Sequence, residues 1–142
     1  MAAIRTAHTV WNGDLMTGSG QTTLDSSGLG TFDVTWKART EAAGGKTSPE
    51  ELIAAAHASC FSMAFSNMLA QAGHAPEEVN TKADVTFVPG TGITGSRLTV
   101  SARIPGISEA EFQRIAGEAK TGCPVSGALA SIEITLAATL QS

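Results

Sequence analysis

The sequence predicts an α+β fold with mainly antiparallel strand pairing. Two observations carry that expectation. Six segments alternate apolar and polar residues with a period of two, and two long segments open with a helix cap and close at glycine. Their order is three strands, a long helix, two strands, one or two helices and a last strand, which segregates helices from hairpins instead of alternating them strictly. With 142 residues, 42% of them hydrophobic and 15% charged, the chain suffices for one core and is short for two. A single domain over residues 1–142 is expected.

At the N-terminal end, "TAHTVW" and "SGQTTL" alternate on either side of "NGD" and a glycine-rich stretch, predicting two strands of a meander. Residues 31–40, "TFDVTWKART", set Phe32, Val34 and Trp36 against Asp33, Thr35 and Lys37. A third strand with one buried face follows, ending at Arg39. "EAAGGK" then reads as a turn. Ser48, Pro49, Glu50 and Glu51 supply an N-cap serine, a proline at the first helical position and a capping-box glutamate at the third. The helix starts at Pro49 and runs to Gln71 or Ala72, where Gly73 offers a left-handed stop and Pro76 blocks resumption. Its length is roughly 36 Å at the standard rise, long for a chain of this size. Residues 79–88 and 93–104 alternate as a hairpin across "PGTG". Ser108 and Glu111 form a second capping box, opening a helix to about Lys120. Gly122 closes it, and "CPVSGALA" starts another short helix with Pro124 at its first position. Residues 131–140 form the last strand, with Ile132, Ile134 and Leu136 on one face.

Charge and composition narrow the function classes. The net charge is -4, and the nine Lys and Arg residues are scattered singly, leaving no basic stripe for nucleic acid or an anionic membrane surface. No apolar run follows Arg5, so a secretory signal is not expected and a cytoplasmic location is. Residues 52–70 are long enough to cross a bilayer, yet Ala and Ser dominate them, His57 and Asn67 interrupt them, and no Lys or Arg flanks them immediately beyond Ala70. A central helix covered by protein on several sides is the expectation, with no membrane partner.

Cys60 and Cys123 are the two cysteines, and in a reducing compartment they are thiols before they are a permanent staple. Either one also reads as a small buried side chain. Cys123 occupies the N-cap position before Pro124, where unpaired backbone N–H groups and the helix dipole favour a thiolate. Cys60 lies eleven residues past the helix start, so a lowered pKa there requires a cation from elsewhere. Arg39 is the candidate, although taken alone it also reads as a surface arginine. Glu50 and Glu51 complement the dipole of the first helical turn. His57 and Cys60 share the spacing "HxxC", but one His and one Cys are half a zinc site, and no metal is expected. The short glycine motifs "TGSG" and "GLG" precede no helix and read as turns, not phosphate loops.

Taken together, "TSPEELIAAAHASCFSMAFSNMLAQAG", the downstream "AKTGCPVSGAL" and the early "WNGD" resemble, essentially end to end, the osmotically inducible protein C (OsmC) family of bacterial hydroperoxide reductases. The likeness is to the OsmC-type subgroup of a family that includes the organic hydroperoxide resistance proteins. It implies an OsmC-like α+β fold, an intertwined homodimer with the long helices in its middle, and sites at the subunit interface. It also implies a thiol-dependent peroxidase in oxidative or osmotic stress defence, acting on organic hydroperoxides and more weakly on hydrogen peroxide. In that resemblance Cys60 is the peroxidatic nucleophile, Cys123 the resolving thiol, Arg39 and Glu50 organise the thiolate, and Glu51 supports them. The resemblance implies a Cys60–Cys123 disulfide reduced by an external dithiol, lipoyl-type dithiols being what the wider family suggests, with no metal or organic cofactor.

Spacing adds a constraint of its own. Glu50 and Cys60 are ten residues apart, about 15 Å along a straight helix, so a shared site needs a broken helix or a glutamate from the other subunit, and the second is favoured. Phe61, Met63, Phe65 and Met68 either line an apolar substrate pocket or pack a core. The rival reading of the whole chain is a non-catalytic binding protein for an apolar small molecule.

Overall fold

Three short strands open the chain. A computed structural model describes residues 1–141, in which two compact units meet at Leu52 and Ile53 along the sequence. In the first unit β1 (Ala7–Asn12), β2 (Ser19–Leu24) and β3 (Thr31–Val34) form an antiparallel sheet in that order. Gly20 pairs with Trp11 across β1 and β2, and a Cβ there would stand 2.7 Å from the Trp11 ring and 2.9 Å from the Val10 carbonyl, so only glycine fits. The "WNGD" turn between these strands is locked by side chains. Asp14 accepts from the Thr17 N–H at 2.8 Å, and the Trp11 indole donates to the Gly13 carbonyl at 3.0 Å.

The third strand is shorter than the alternation of residues 31–40 predicts. It stops at Val34, and a one-turn helix, α1 (Trp36–Thr40), carries Arg39. Pairing explains the stop: Val34 lies opposite Gly20, next to the first residue of β2, so a longer strand would run past its partner. Thr35 then caps the turn, its hydroxyl accepting from the Ala38 N–H at 3.1 Å. The guanidinium of Arg39 lies 5.9 Å from the Trp36 ring centroid, a contact that the three-residue spacing of a helix permits and alternation along a strand does not.

The long helix α2 (Pro49–Gln71) is unbroken. The Ser48 hydroxyl accepts from the Glu51 N–H at 3.1 Å, and the Glu51 carboxylate accepts from the Thr47 hydroxyl. Gly73 adopts a φ of +86°, and the His74 N–H returns to the Leu69 carbonyl at 2.8 Å, ending the helix as the sequence predicts. By length and composition α2 passes the test for a membrane span. Its large apolar side chains Phe61, Phe65 and Leu69 are nevertheless fully buried in a protein core. Ala55, Ala56, Ser59, Met63 and Ala70 make up an exposed side of the same helix.

In the second unit β4 (Glu78–Val88), β5 (Gly92–Arg103) and β6 (Glu133–Gln141) form a sheet in that order. β4 and β5 are an antiparallel hairpin, while β6 runs parallel to β5. Parallel neighbours need a crossover, which α3 (Glu109–Gly122) and α4 (Pro124–Ala128) supply. One face of β5 presents Leu98, Val100 and Ala102 to the core, and α3 adds Phe112, Ile115, Ala116 and Ala119 at helical spacing. Phe65 sits in the middle, its ring 5.5 Å from that of Phe61 and 5.7 Å from that of Phe112. Replacing Phe65 by Ala is therefore expected to cost about 3–5 kcal/mol in a urea unfolding titration; a loss below about 1 kcal/mol would show that this ring cluster does not hold the core.

Candidate active site

Two elements of the second unit bring the cysteines together. Cys60 faces inward from α2, half-buried, and Cys123 occupies the joint between α3 and α4, at 1% exposure. The joint is made by three residues in a row. Gly122 ends α3 against Met68 of α2, where a Cβ would stand only 3.1 Å from the methionine methyl. Cys123 takes extended angles of φ -62° and ψ 126°, closing α3 through its own N–H while standing at the N-cap of α4. Pro124 starts α4 at a position where no N–H is needed.

Both cysteines are free thiols, and Cys60 packs against the buried cluster that contains Cys123, so the ionisation of each bears on the other. Burial pushes the Cys60 thiol up, and the hydrogen bond with Cys123 adds to that; the Val125 N–H opposes it. Burial also acts against a Cys123 thiolate, but the Cys60 S–H, the N–H groups of Ser126 and Val125 and the Ser126 hydroxyl together outweigh it, so Cys123 lies below the ordinary thiol range. Within this unit Cys123 therefore ionises before Cys60 as pH rises. A peroxide oxidising either sulfur would leave the other in reach for disulfide closure.

His57, one turn before Cys60, is fully buried. Its two ring nitrogens are engaged by serine hydroxyls, Nδ1 with Ser96 at 2.6 Å and Nε2 with Ser126 at 2.8 Å. The "HxxC" spacing is therefore used for hydrogen bonding. Among the described residues no three His, Cys, Asp or Glu side chains are grouped to hold a metal ion.

The first unit holds a different constellation. Arg39 on α1 donates through Nε to Glu50 Oε1 at 3.0 Å and through Nη2 to Oε2 at 2.8 Å, a bidentate pair. Glu50 is 6% exposed, so the guanidinium supplies the charge partner that such burial demands. Glu51, next to it, is exposed and serves the cap through Thr47. Beside the pair opens a cleft of about 380 Å³ lined by Trp11, Leu15, Val34, Trp36, Arg39 and Leu52. Of the two readings that the sequence left open for Phe61, Met63, Phe65 and Met68, a pocket lining or a core, the structure supports the core for most of them. Phe61 and Phe65 are core, Met63 is 72% exposed, and Met68 packs against the core. The overlooked signal was the pair of tryptophans in a chain with 5% aromatic residues, one in "WNGD" and one three residues before Arg39. Ser96 and Ser126 were overlooked as well, and for Ser126 the three-residue spacing from Cys123 was the available clue.

Three comparisons with known proteins agree on the kind of chain this is. The family model described as OsmC-like protein matches residues 42–137. Over 135 residues the chain is 43% identical to Peroxiredoxin OsmC of Escherichia coli (strain K12), covering 93% of each chain. It is 34% identical over 97 residues to an organic hydroperoxide resistance protein of Xanthomonas axonopodis pv. citri (strain 306), covering 67% of this chain and 68% of that one. The crystal structure of an organic hydroperoxide resistance protein from Elizabethkingia anophelis matches with a TM-score of 0.72 at 26% identity, over 99% of this chain and 100% of that one.

The buried imidazole has a measurable consequence. Burial holds the pKa of His57 below its ordinary 6.5, so as pH falls through that value the unfolded chain takes up a proton that the folded chain refuses. Stability must therefore drop on acidification, by at most about 1.4 kcal/mol per pH unit from this one site. Unfolding titrations at about pH 7.5 and about pH 5.5 should show a smaller drop in His57→Gln than in the parent. Equal drops in the two proteins would contradict the assignment.

Proposed function

The chain belongs to the OsmC-like protein family, and we propose that it is a thiol-dependent peroxidase that reduces organic hydroperoxides, and hydrogen peroxide more weakly, to alcohols or water. The observation that carries this reading is the packing of two free cysteines, Cys60 of α2 and Cys123 at the α3–α4 joint, in one core cluster. A role in peroxide detoxification agrees with the names of its relatives, a peroxiredoxin and an organic hydroperoxide resistance protein.

In the proposed cycle the Cys60 thiolate attacks the terminal oxygen of the hydroperoxide. An S–O bond forms, the O–O bond breaks, and the alkoxide leaves and takes a proton to become the alcohol. The Cys123 thiolate then attacks the Cys60 sulfur; the S–S bond forms, the S–O bond breaks, and hydroxide leaves as water once protonated. An external dithiol of lipoyl type reduces the disulfide and is itself oxidised to a disulfide. No step calls for a metal or an organic cofactor. The setting is the cytoplasm under oxidative or osmotic stress.

Cys60 has to lose its proton for the first step, and its own unit works against that. A cation facing its sulfur would favour the Cys60 thiolate. Arg39 is the group suited to this, with Glu50 fixing its orientation. Because α2 is unbroken, Glu50 and Cys60 of one chain are separated by about 15 Å of helix. The reading therefore places the chain as one OsmC-like domain of an intertwined homodimer, with the Arg39–Glu50 pair of each subunit serving the cysteines of the other. The small exposed residues of α2, Ala55, Ala56, Ser59 and Ala70, suit close contact with a second copy of the helix. Glu51 supports the site at one remove, by fixing the helix start. The Trp11–Trp36 cleft would hold the alkyl part of the substrate beside the guanidinium.

Mass spectrometry after one equivalent of cumene hydroperoxide tests the cysteine roles. Expected are a Cys60–Cys123 disulfide in the parent, a sulfenic acid on Cys60 in Cys123→Ser, and no oxidation in Cys60→Ser. Oxidation of Cys123 when Cys60 is absent would reverse the roles. Thiols untouched throughout would leave the apolar binding protein as the better reading.

A further inference from the structure

One wall of the cleft in the first unit owes its shape to a missing side chain. Trp11 of β1, Gly20 of β2 and Val34 of β3 lie opposite one another in a single row across the sheet. Gly20 is buried and is not one of the glycines with a positive φ, so its backbone alone does not ask for glycine. Space is what singles it out. A Cβ there would stand 2.7 Å from the Trp11 ring and 3.3 Å from a Val34 methyl, so the indole occupies the room above the middle strand that a side chain would fill. At its other end the ring is held by its own N–H, which donates to the Gly13 carbonyl at 3.0 Å. Trp11 is thus fixed before any ligand arrives, which spares a ligand the cost of ordering it.

Such a fixed ring would be ordinary packing if it were covered. Trp11 is instead 38% exposed and Leu15 53%, and both line the cleft together with Val34, Trp36 and Arg39. The next row of the same sheet face is polar but satisfied, because the Thr9 and Thr22 hydroxyls bond each other at 2.8 Å. The apolar stretch is therefore short and bounded. At about 380 Å³ the cleft is more than twice the size of a cavity of about 150 Å³ that admits benzene, so a one-ring group fits.

We propose that Trp11 is the specificity-determining residue of this cleft: laid over Gly20, its indole is the wall against which the aryl or compact branched alkyl group of an organic hydroperoxide packs. The inference deepens the peroxidase reading and rests on it. Hydrogen peroxide has no apolar body to bury and gains nothing from the ring, so preference for organic hydroperoxides comes from this contact.

The experiment compares kcat/KM for cumene hydroperoxide with that for hydrogen peroxide in the parent, Trp11→Ala and Trp11→Phe. The ratio of the two is expected to fall about tenfold in Trp11→Ala, the loss typical of removing an apolar contact from a substrate pocket. Trp11→Phe keeps a ring over Gly20 but loses the N–H that holds Gly13, and it should keep most of the parental ratio. Equal losses with both peroxides in Trp11→Ala, or a ratio that falls as far in Trp11→Phe, would assign Trp11 to the turn alone and overturn the proposal.

Binding of the product alcohol, 2-phenylpropan-2-ol, reads the cleft without turnover. The chain has two tryptophans and no tyrosine, and both tryptophans line the cleft, so intrinsic tryptophan emission reports on it. The alcohol should bind about tenfold more weakly to Trp11→Ala, with Trp36 as the remaining reporter. Equal affinities, or no binding to the parent, overturn the proposal. A parent that binds the alcohol through Trp11 but reduces neither peroxide would strike the peroxidase reading and support the wall. Should Trp11→Ala not fold, proton NMR of the parent with the alcohol decides: nuclear Overhauser contacts between its ring and the Trp11 indole are expected, and their absence overturns the proposal.

Discussion

Two free cysteines packed side by side at the edge of a core impose a constraint on everything around them. Each thiol is desolvated, and neither can carry charge without compensation. In the second unit the compensation converges on Cys123: two backbone N–H groups, one hydroxyl and the S–H of Cys60. The joint between α3 and α4 exists in the form needed to deliver those donors. Gly122 lets α3 end close to Met68, Cys123 takes the extended angles between the helices, and Pro124 starts the next one without an N–H of its own. The phenylalanine cluster of α2 and α3 holds the two helices in register for that meeting.

The same constraint leaves Cys60 protonated unless something outside its own cluster intervenes. An arginine fixed by a nearly buried glutamate is a suitable agent, because the guanidinium keeps its charge while the carboxylate fixes its plane. On the proposed reading the second copy of the chain brings that pair. Ionisation of the proposed nucleophile is then tied to assembly, while within a lone subunit Cys123 is the thiol whose ionisation is favoured. That division of labour suits a two-thiol cycle, in which the thiolate is needed first on one sulfur and then on the other.

Much of this was legible in the sequence where local rules decide the outcome. The start of α2 follows from Ser48 and Pro49, its end from Gly73, and the N-cap position of Cys123 from Gly122 and Pro124. The downward shift of the Cys123 thiol agrees in direction with that position. Arg39 was placed at the end of a strand because Phe32, Val34 and Trp36 alternate, but alternation says nothing of how far the partner strand extends, and β2 offers no partner beyond Val34. The parallel pairing of β5 with β6 was equally hidden, being a matter of how the crossover returns. Phe61 and Phe65 look the same in sequence whether they line a pocket or fill a core. Ser96 and Ser126 acquire meaning only once β5 and α4 are packed on either side of His57, at sequence separations of 39 and 69 residues.

The claim on which this account turns is that each site draws its cysteines from one subunit and its Arg39–Glu50 pair from the other. Mixed dimers test it most directly. Arg39→Ala and Cys60→Ser proteins, each inactive alone, are unfolded together, refolded as an equal mixture and assayed for hydroperoxide reduction. Recovery of about a quarter of the parental activity is predicted, because half of the dimers are mixed and each of those has one intact site. A mixture as inactive as its components would contradict the account.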